Sequence, residues 1–251
     1  MHFYRPVTII LSNIIFISAV AQQQGAMVQT NQFGEITNLG DAKFIKAIDN
    51  LTIYGGDNTI PYSRITGSKF WQDEWQSAAL YNNSNMLGII PVRLNLVTSE
   101  LHILRDNEEL VITDNITSVI FFKQNDTSIS TAAFISHVPN LFLNNKKLDD
   151  FVQVLNYGNY QLLKYTKRQV SVGDSLFHTL KRYFFSDERY YFLKSGGKVE
   201  RVKKLNKENV LVFLPSSSSF ADWIKTNNID FKRERDIIRF LNYYNVANKP
   251  Q

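Results

Sequence analysis

The sequence predicts an α+β fold: a curved antiparallel β-sheet or meander followed by a small C-terminal cap of about three helices. Three observations carry this. Ile90, Val92, Leu94 and Leu96 alternate with Pro91, Arg93, Asn95 and Val97, the period of a strand with one buried face. Residues 190–194 and 198–202 flank Ser195-Gly196-Gly197, a hairpin signal. Beyond residue 205 the apolar spacing lengthens to a helical period, with Ile237, Ile238, Leu241 and Tyr244 on one stripe. At 44% hydrophobic and 13% aromatic, 251 residues suffice for a real core.

In chain order, Met1 to Ala21 reads as a secretory signal peptide: Arg5, an apolar run from Val7 to Val20, then the small-x-small Ala19-Val20-Ala21. The run is about 14 residues, short of the roughly 20 that span a bilayer, so no membrane span is expected after cleavage. Residues 22–39 read as a flexible leader, 40–246 as a single domain, and 247–251 as a tail. Within the domain, 40–203 should be β-rich and 205–246 helical.

Phe44, Ile45 and Ile48 are spaced as one face of a short helix, and residues 51–54 as a brief strand stopped by Gly55-Gly56-Asp57. Gly67-Ser68 should turn the chain towards Phe70, Trp71 and Trp75, at least two of which are expected in the core. Strands through 90–97, 101–105 and 110–112, turned at Thr98-Ser99 and Asp106-Asn107, form a meander, and 119–122 adds another strand. Pro91 lacks a ladder donor and belongs where its strand begins or at an edge. Residues 151–156 and 160–165 flank Tyr157-Gly158-Asn159 as a hairpin. Asn206 should cap a helix ended by Pro215, and Ser216 to Ser219 offer caps for a helix through Thr226. A last helix is expected over about 232–246.

No cysteine occurs, which excludes disulfides and thiolate metal sites and favours a bacterial source for an exported chain. After removal of Arg5 the chain holds 27 basic and 23 acidic side chains. Residues 22–159 carry a net charge of −5 and residues 160–251 a net charge of +9. Tyr190, Tyr191, Lys194, Lys198, Arg201, Lys203 and Lys204 interleave charge with aromatic rings in this basic third. An ordinary solvated Lys/Arg face is the simpler account of it; as a binding surface in an exported protein it fits anionic envelope glycan or lipid headgroups better than nucleic acid.

Gly173-Asp174-Ser175-Leu176 resembles the nucleophile motif of the GDSL esterase and lipase family. That family places its aspartate and histidine in a block near the C-terminus, whereas the last histidine here is His178. Ser195-Gly196-Gly197-Lys198 matches the Ser-x-x-Lys of penicillin-recognising enzymes, but two glycines between strands make a turn and not a helix start. His102, His137 and His178 have no partner at metal-ligand spacing. The acidic doublets Asp73-Glu74, Glu108-Glu109 and Asp149-Asp150 point their members to opposite faces in extended chain. No catalytic, cofactor or metal residue is therefore assigned.

GSKFWQDEWQSA, VRLNLVTSELHIL, YYFLKSGGKVERVKKLNKENVLVFLP and IDFKRERDIIRFLNYYN, in that order over about residues 62–245, resemble a family of uncharacterised exported proteins of Bacteroidota. The resemblance implies export and a shared architecture, and brings no activity or site residues. The expectation is a non-catalytic exported envelope or secreted protein, periplasmic or released, with a binding or structural role. The alternative is an esterase-like hydrolase using Ser175 and His178.

Overall fold

Alternation organises the sheet as the sequence requires. Ile90, Val92, Leu94 and Leu96 are all buried, with Val92 fully so, and they lie on or just beyond β6 (Asn85–Asn95). The structure is a computed structural model and describes residues 44–46, 50–52, 59–124, 126–174 and 181–248. The proposed signal peptide, the leader and the last three residues lie outside them.

Among the described residues sixteen strands precede the α-helices: β1 (Phe44–Lys46), β2 (Asn50–Thr52), β3 (Thr59–Pro61), β4 (Ile65–Thr66), β5 (Gln76–Asn82), then β6, β7 (Glu100–Arg105) and β8 (Glu108–Ile112). After these come β9 (Ser118–Lys123), β10 (Asp126–Ile135), β11 (Phe142–Leu143), β12 (Lys146–Lys147), β13 (Val152–Val154), β14 (Tyr160–Asp174), β15 (Lys181–Ser195) and β16 (Lys198–Val202). Twelve belong to one sheet, ordered β1-β8-β7-β6-β5-β9-β10-β13-β14-β15-β16, with β4 added beside β15. Among the described residues every pairing is antiparallel except that of β4 with β15, which makes the sheet mixed. The helices are α1 (Lys207–Leu211), α2 (Ala221–Thr226) and α3 (Glu234–Ala247), so the α+β expectation holds.

Several local expectations need correction. Phe44–Lys46 is not helical; it pairs with Leu110–Ile112 as an edge strand, and three residues of apolar spacing do not fix a period. The meander covers β5 to β8 only, because β9 returns to the other side of β5, with Leu80 opposite Val119. Pro91 sits inside β6, opposite Ser77 of β5. The pairing with β7 begins only at Val92, so the missing donor falls beside a stretch unpaired on that side among the described residues. Ser216 makes no side-chain cap; it adopts φ 54° before a 3-10 turn at Ser217–Phe220 that leads into α2.

Other local chemistry follows the sequence. Asp106 and Asn107 take φ 51° and 62°, as a two-residue hairpin turn demands. Asn206 accepts the Asn209 amide at 2.8 Å and caps α1. Gly158 takes φ +122° against Asn245, whose Cγ would lie 2.6 Å from an added Cβ.

Apolar side chains gather in three clusters. One is built on β5 to β10 around Leu80, Leu94 and Phe121. A second joins Leu162, Leu193 and Val202 to the cap residues Ile237, Phe240, Leu241 and Tyr244. The third sits on the opposite face of β14 and β15, where Leu163 and Phe192 meet Val138, Leu141 and Leu148. Following directly paired residues across the sheet gives one row on one face: Leu80, Val119, Phe134, Gln153, Lys164, Tyr191, Val202. The row begins in the first cluster and ends under the cap, and it turns polar in between.

Candidate functional site

The motif segments come first. Gly173 and Asp174 end β14 opposite Arg182 and Lys181, and Ser175 and His178 lie outside the described residues. Ser195 and Lys198 face each other across the Gly196-Gly197 turn, with Gly196 at φ 57°, so this segment is the expected hairpin. Asp149 pairs with Lys147 at 2.7 Å while Asp150 accepts the Tyr165 hydroxyl at 2.6 Å; burial first, and that bond second, raise the phenol pKa. No group of three His, Cys, Asp or Glu side chains among the described residues could hold a metal ion.

A small cleft of about 200 Å³ brings Ser136 and His137 beside Asp149 and Asp150. His137 Nδ1 lies 2.9 Å from Ser136 Oγ, and His137 holds φ 53°. The arrangement is not that of a serine nucleophile. The Ser136 hydroxyl donates to the Ile116 carbonyl at 2.7 Å, so its proton is not available to the imidazole, and Asp150 is committed to Tyr165.

The larger feature is a groove on the polar part of the sheet row. One lobe, about 700 Å³, is bounded by Gly67, Ser68, Gln72, Asp73 and Phe185. A second, about 500 Å³, reaches past Gln153, Lys164 and Thr166 to Lys232 and Glu234 of the cap. Trp71, Arg168, Asp187 and Arg189 line both lobes. The floor is a ladder of facing pairs on β14 and β15, namely Lys164 with Tyr191, Thr166 with Arg189, Arg168 with Asp187, and Val170 with Phe185. Their alternation places all eight on one face.

Within this ladder most charges are neutralised. Arg168 Nε and Nη2 grip Asp187 at 2.7 and 2.9 Å, and Nη1 donates to the carbonyls of Ser68 and Phe70 at 2.8 and 2.5 Å. The Arg168 hydrogen bond is the main reason the Asp187 carboxyl is held below the usual range. Lys164 reaches Glu234 at 3.2 Å, and Tyr191 donates to the same carboxylate at 2.9 Å. Burial and that bond push the Tyr191 phenol up to about 12. Arg189 makes no hydrogen bond or ion pair with a described residue, although its charge is felt by Asp187 and Tyr191.

The wall formed by residues 67–73 is fixed from behind. Trp71 N donates to Leu94 O at 2.8 Å and Leu96 N to Lys69 O at 2.9 Å, bracketing a bridge between Phe70 and Asn95. Trp71 turns into the first cluster, 5.0 Å from Phe121 and 5.2 Å from Phe134. Phe70 turns the other way and meets His102 edge-on at 5.1 Å. There Arg93, His102 and Glu109 form a cluster: Glu109 accepts from Arg93 Nη2 and from His102 Nδ1, each at 2.5 Å. The Arg93 guanidinium lies between Phe70 and Trp75, 4.0 and 4.1 Å from their ring centres, and its Nε is buried without a hydrogen-bond partner. Asn95 and His102 are each only 2% exposed. The face of β6 and β7 that alternation assigns to solvent is therefore covered, by the segment that walls the groove.

Phe70 is buried and half-buried Trp71 packs on the first cluster, in line with the expectation that at least two of Phe70, Trp71 and Trp75 anchor the core. The ladder residues Lys164, Thr166, Arg168, Asp187 and Arg189 and the Arg93-His102-Glu109 cluster were not readable as sites. Both faces of 164–171 are polar, so no hydrophobic period marks that strand. The one usable signal was the charge contrast across residue 160, and the groove lies where the two halves meet. Compared with protein-family models, curated proteins and solved structures, the chain matches none.

Proposed function

We propose that this is a non-catalytic exported binding protein, of the cell envelope or secreted, and that an anionic polyhydroxylated glycan lies in the groove between the β14–β15 ladder and the 67–73 wall. The observation that carries the reading is Arg189, a cation without a described partner on a ladder whose other two cations, Lys164 and Arg168, are each paired with a carboxylate. A carboxylate or sulfate on the ligand would complete it, as a charge-assisted hydrogen bond. Trp71, Gln72 and Gln153 supply the apolar surface and amide donors on which a sugar ring with hydroxyls can rest. Export rests on the signal-peptide pattern of residues 1–21. No described helix is long and apolar enough to cross a membrane.

The test is calorimetric titration with polygalacturonate, heparin, neutral dextran and phosphatidylglycerol vesicles. The reading expects binding to one of the acidic glycans, none to dextran, and a loss of about tenfold or more in Arg189→Ala. Equal binding to dextran, binding to vesicles alone, or an unaffected Arg189→Ala protein would reject it.

A further inference from the structure

The cluster behind the groove wall has two proton states with different partners. The Val97 amide donates to Asn95 Oδ1 at 3.0 Å, which fixes the Asn95 side chain so that Nδ2 faces His102 Nε2 at 3.3 Å. Nδ2 can only donate, so Nε2 accepts and the imidazole proton sits on Nδ1, directed at Glu109. Neutral His102 therefore satisfies every partner. A proton added at Nε2 would face the Asn95 N–H bonds, and the nearest acceptor is Glu100 Oε2 at 4.0 Å, a carboxylate already taking the Thr98 hydroxyl at 2.5 Å.

We propose that protonation of His102 transfers its Nε2 contact from Asn95 to Glu100, loosens the 67–73 wall held through Asn95 and Phe70, and so opens the groove in acid. This regulation rests on the groove being the binding site. The charged and titratable groups around the imidazole are Glu109 of β8, Glu100 of β7, Arg93 of β6, Lys69 of the wall segment and the phenol of Tyr62, which opens a 3-10 turn just before β4. Lys69 is buried, with its ammonium 4.3 Å from the centre of the Tyr62 ring and 5.1 Å from that of Phe70. Desolvation, with a smaller contribution from Lys69, lowers the His102 pKa against the opposing pull of Glu109 and Glu100. The neutral, closed arrangement is thus the resting one at neutral pH. The two-state element is the Asn95 amide: its Nδ2 meets Nε2 when His102 is neutral and loses that contact when it is charged, while Oδ1 keeps the Val97 amide and the side chain keeps its hydrogen bond with Tyr62.

The test needs no ligand. Amide hydrogen exchange by NMR, corrected for intrinsic rates, is followed from pH 7.5 to 5 together with the His102 imidazole resonances. The Trp71 and Leu96 amides should lose protection in step with His102, by up to about tenfold for each pH unit separating its titration in closed and open forms. Amides of β5 and β9 should not change. His102→Gln should abolish the response, and Glu100→Gln should weaken it by removing the acid-state acceptor. Constant protection, an even loss across the sheet, or a full response in folded His102→Gln would overturn the proposal. If His102→Gln does not fold, a wild-type response in Glu100→Gln overturns it. Failure of the glycan titration would leave this result standing, and the reverse also holds.

Discussion

Arg168→Ala removes the clasp that ties the ladder to the groove wall. Four contacts go: two to Asp187 and two to the carbonyls of Ser68 and Phe70. The Asp187 pair is partly solvated, with side chains 15% and 22% exposed, so it is worth no more than about 1 kcal/mol. The carbonyl bonds dominate, because a charged donor withdrawn from a partly buried acceptor costs about 1–3 kcal/mol. Together the loss is about 2–3 kcal/mol, some of it recovered by water. With an m-value of about 2 kcal/mol/M, the urea midpoint should fall by roughly 1 M. Asp187→Asn, which spares the carbonyl bonds, should move it by less than half as much. Equal shifts for the two variants, or an Arg168→Ala midpoint within about 0.2 M of wild type, would refute the claim that the guanidinium holds the wall.

Further consequences follow from the same contacts. Gly158→Ala should destabilise by about 2 kcal/mol or more, since its Cβ would strike Asn245 at positive φ, whereas Gly197→Ala, which meets nothing within 4 Å, should be near neutral in thermal melts. Phe240→Ala, truncating a fully buried ring of the second cluster, should cost about 3–5 kcal/mol in denaturant unfolding. The depressed His102 pKa gives stability that is fully present above its unfolded value of 6.5 and lost as pH falls below it, because the unfolded chain then binds the proton more readily. A stability profile from pH 8 to 5 should therefore be flatter in His102→Gln than in wild type.

The legible parts of the fold were those where one face is apolar and the turns carry their own chemistry. Leu94 and its neighbours declared a strand, Asp106-Asn107 and Gly196-Gly197 declared hairpins, and Asn206 declared a helix start. Burial of Leu94 at 1% and the caps and turns at those positions follow. What stayed hidden depends on pairing between distant strands. Arg93 lies opposite His102 only because β6 and β7 take that register, and Glu109 joins them from a third strand. Phe70 covers that face through a bridge to Asn95, a contact of 25 residues' separation that no local pattern announces. In α3, Phe240 carries more of the packing than Ile238, because the stripe that faces the sheet is set by where the cap docks. The ladder on β14 and β15 was the hardest to see: Lys164, Thr166 and Arg168 alternate with Tyr165, Lys167 and Gln169, and both series are largely polar.

The central claim is that the groove, and no other surface, holds the ligand. NMR chemical-shift mapping with an acidic oligosaccharide such as oligogalacturonate tests it most directly. Perturbations concentrated at Trp71, Gln72, Thr166, Arg168 and Arg189, and lost in Arg189→Ala, are the predicted result. Shifts clustered on the stack of half-buried Trp223 and exposed Tyr243 on the cap, whose rings lie 4.1 Å apart, or at Lys198 and Arg201 of β16, would contradict it.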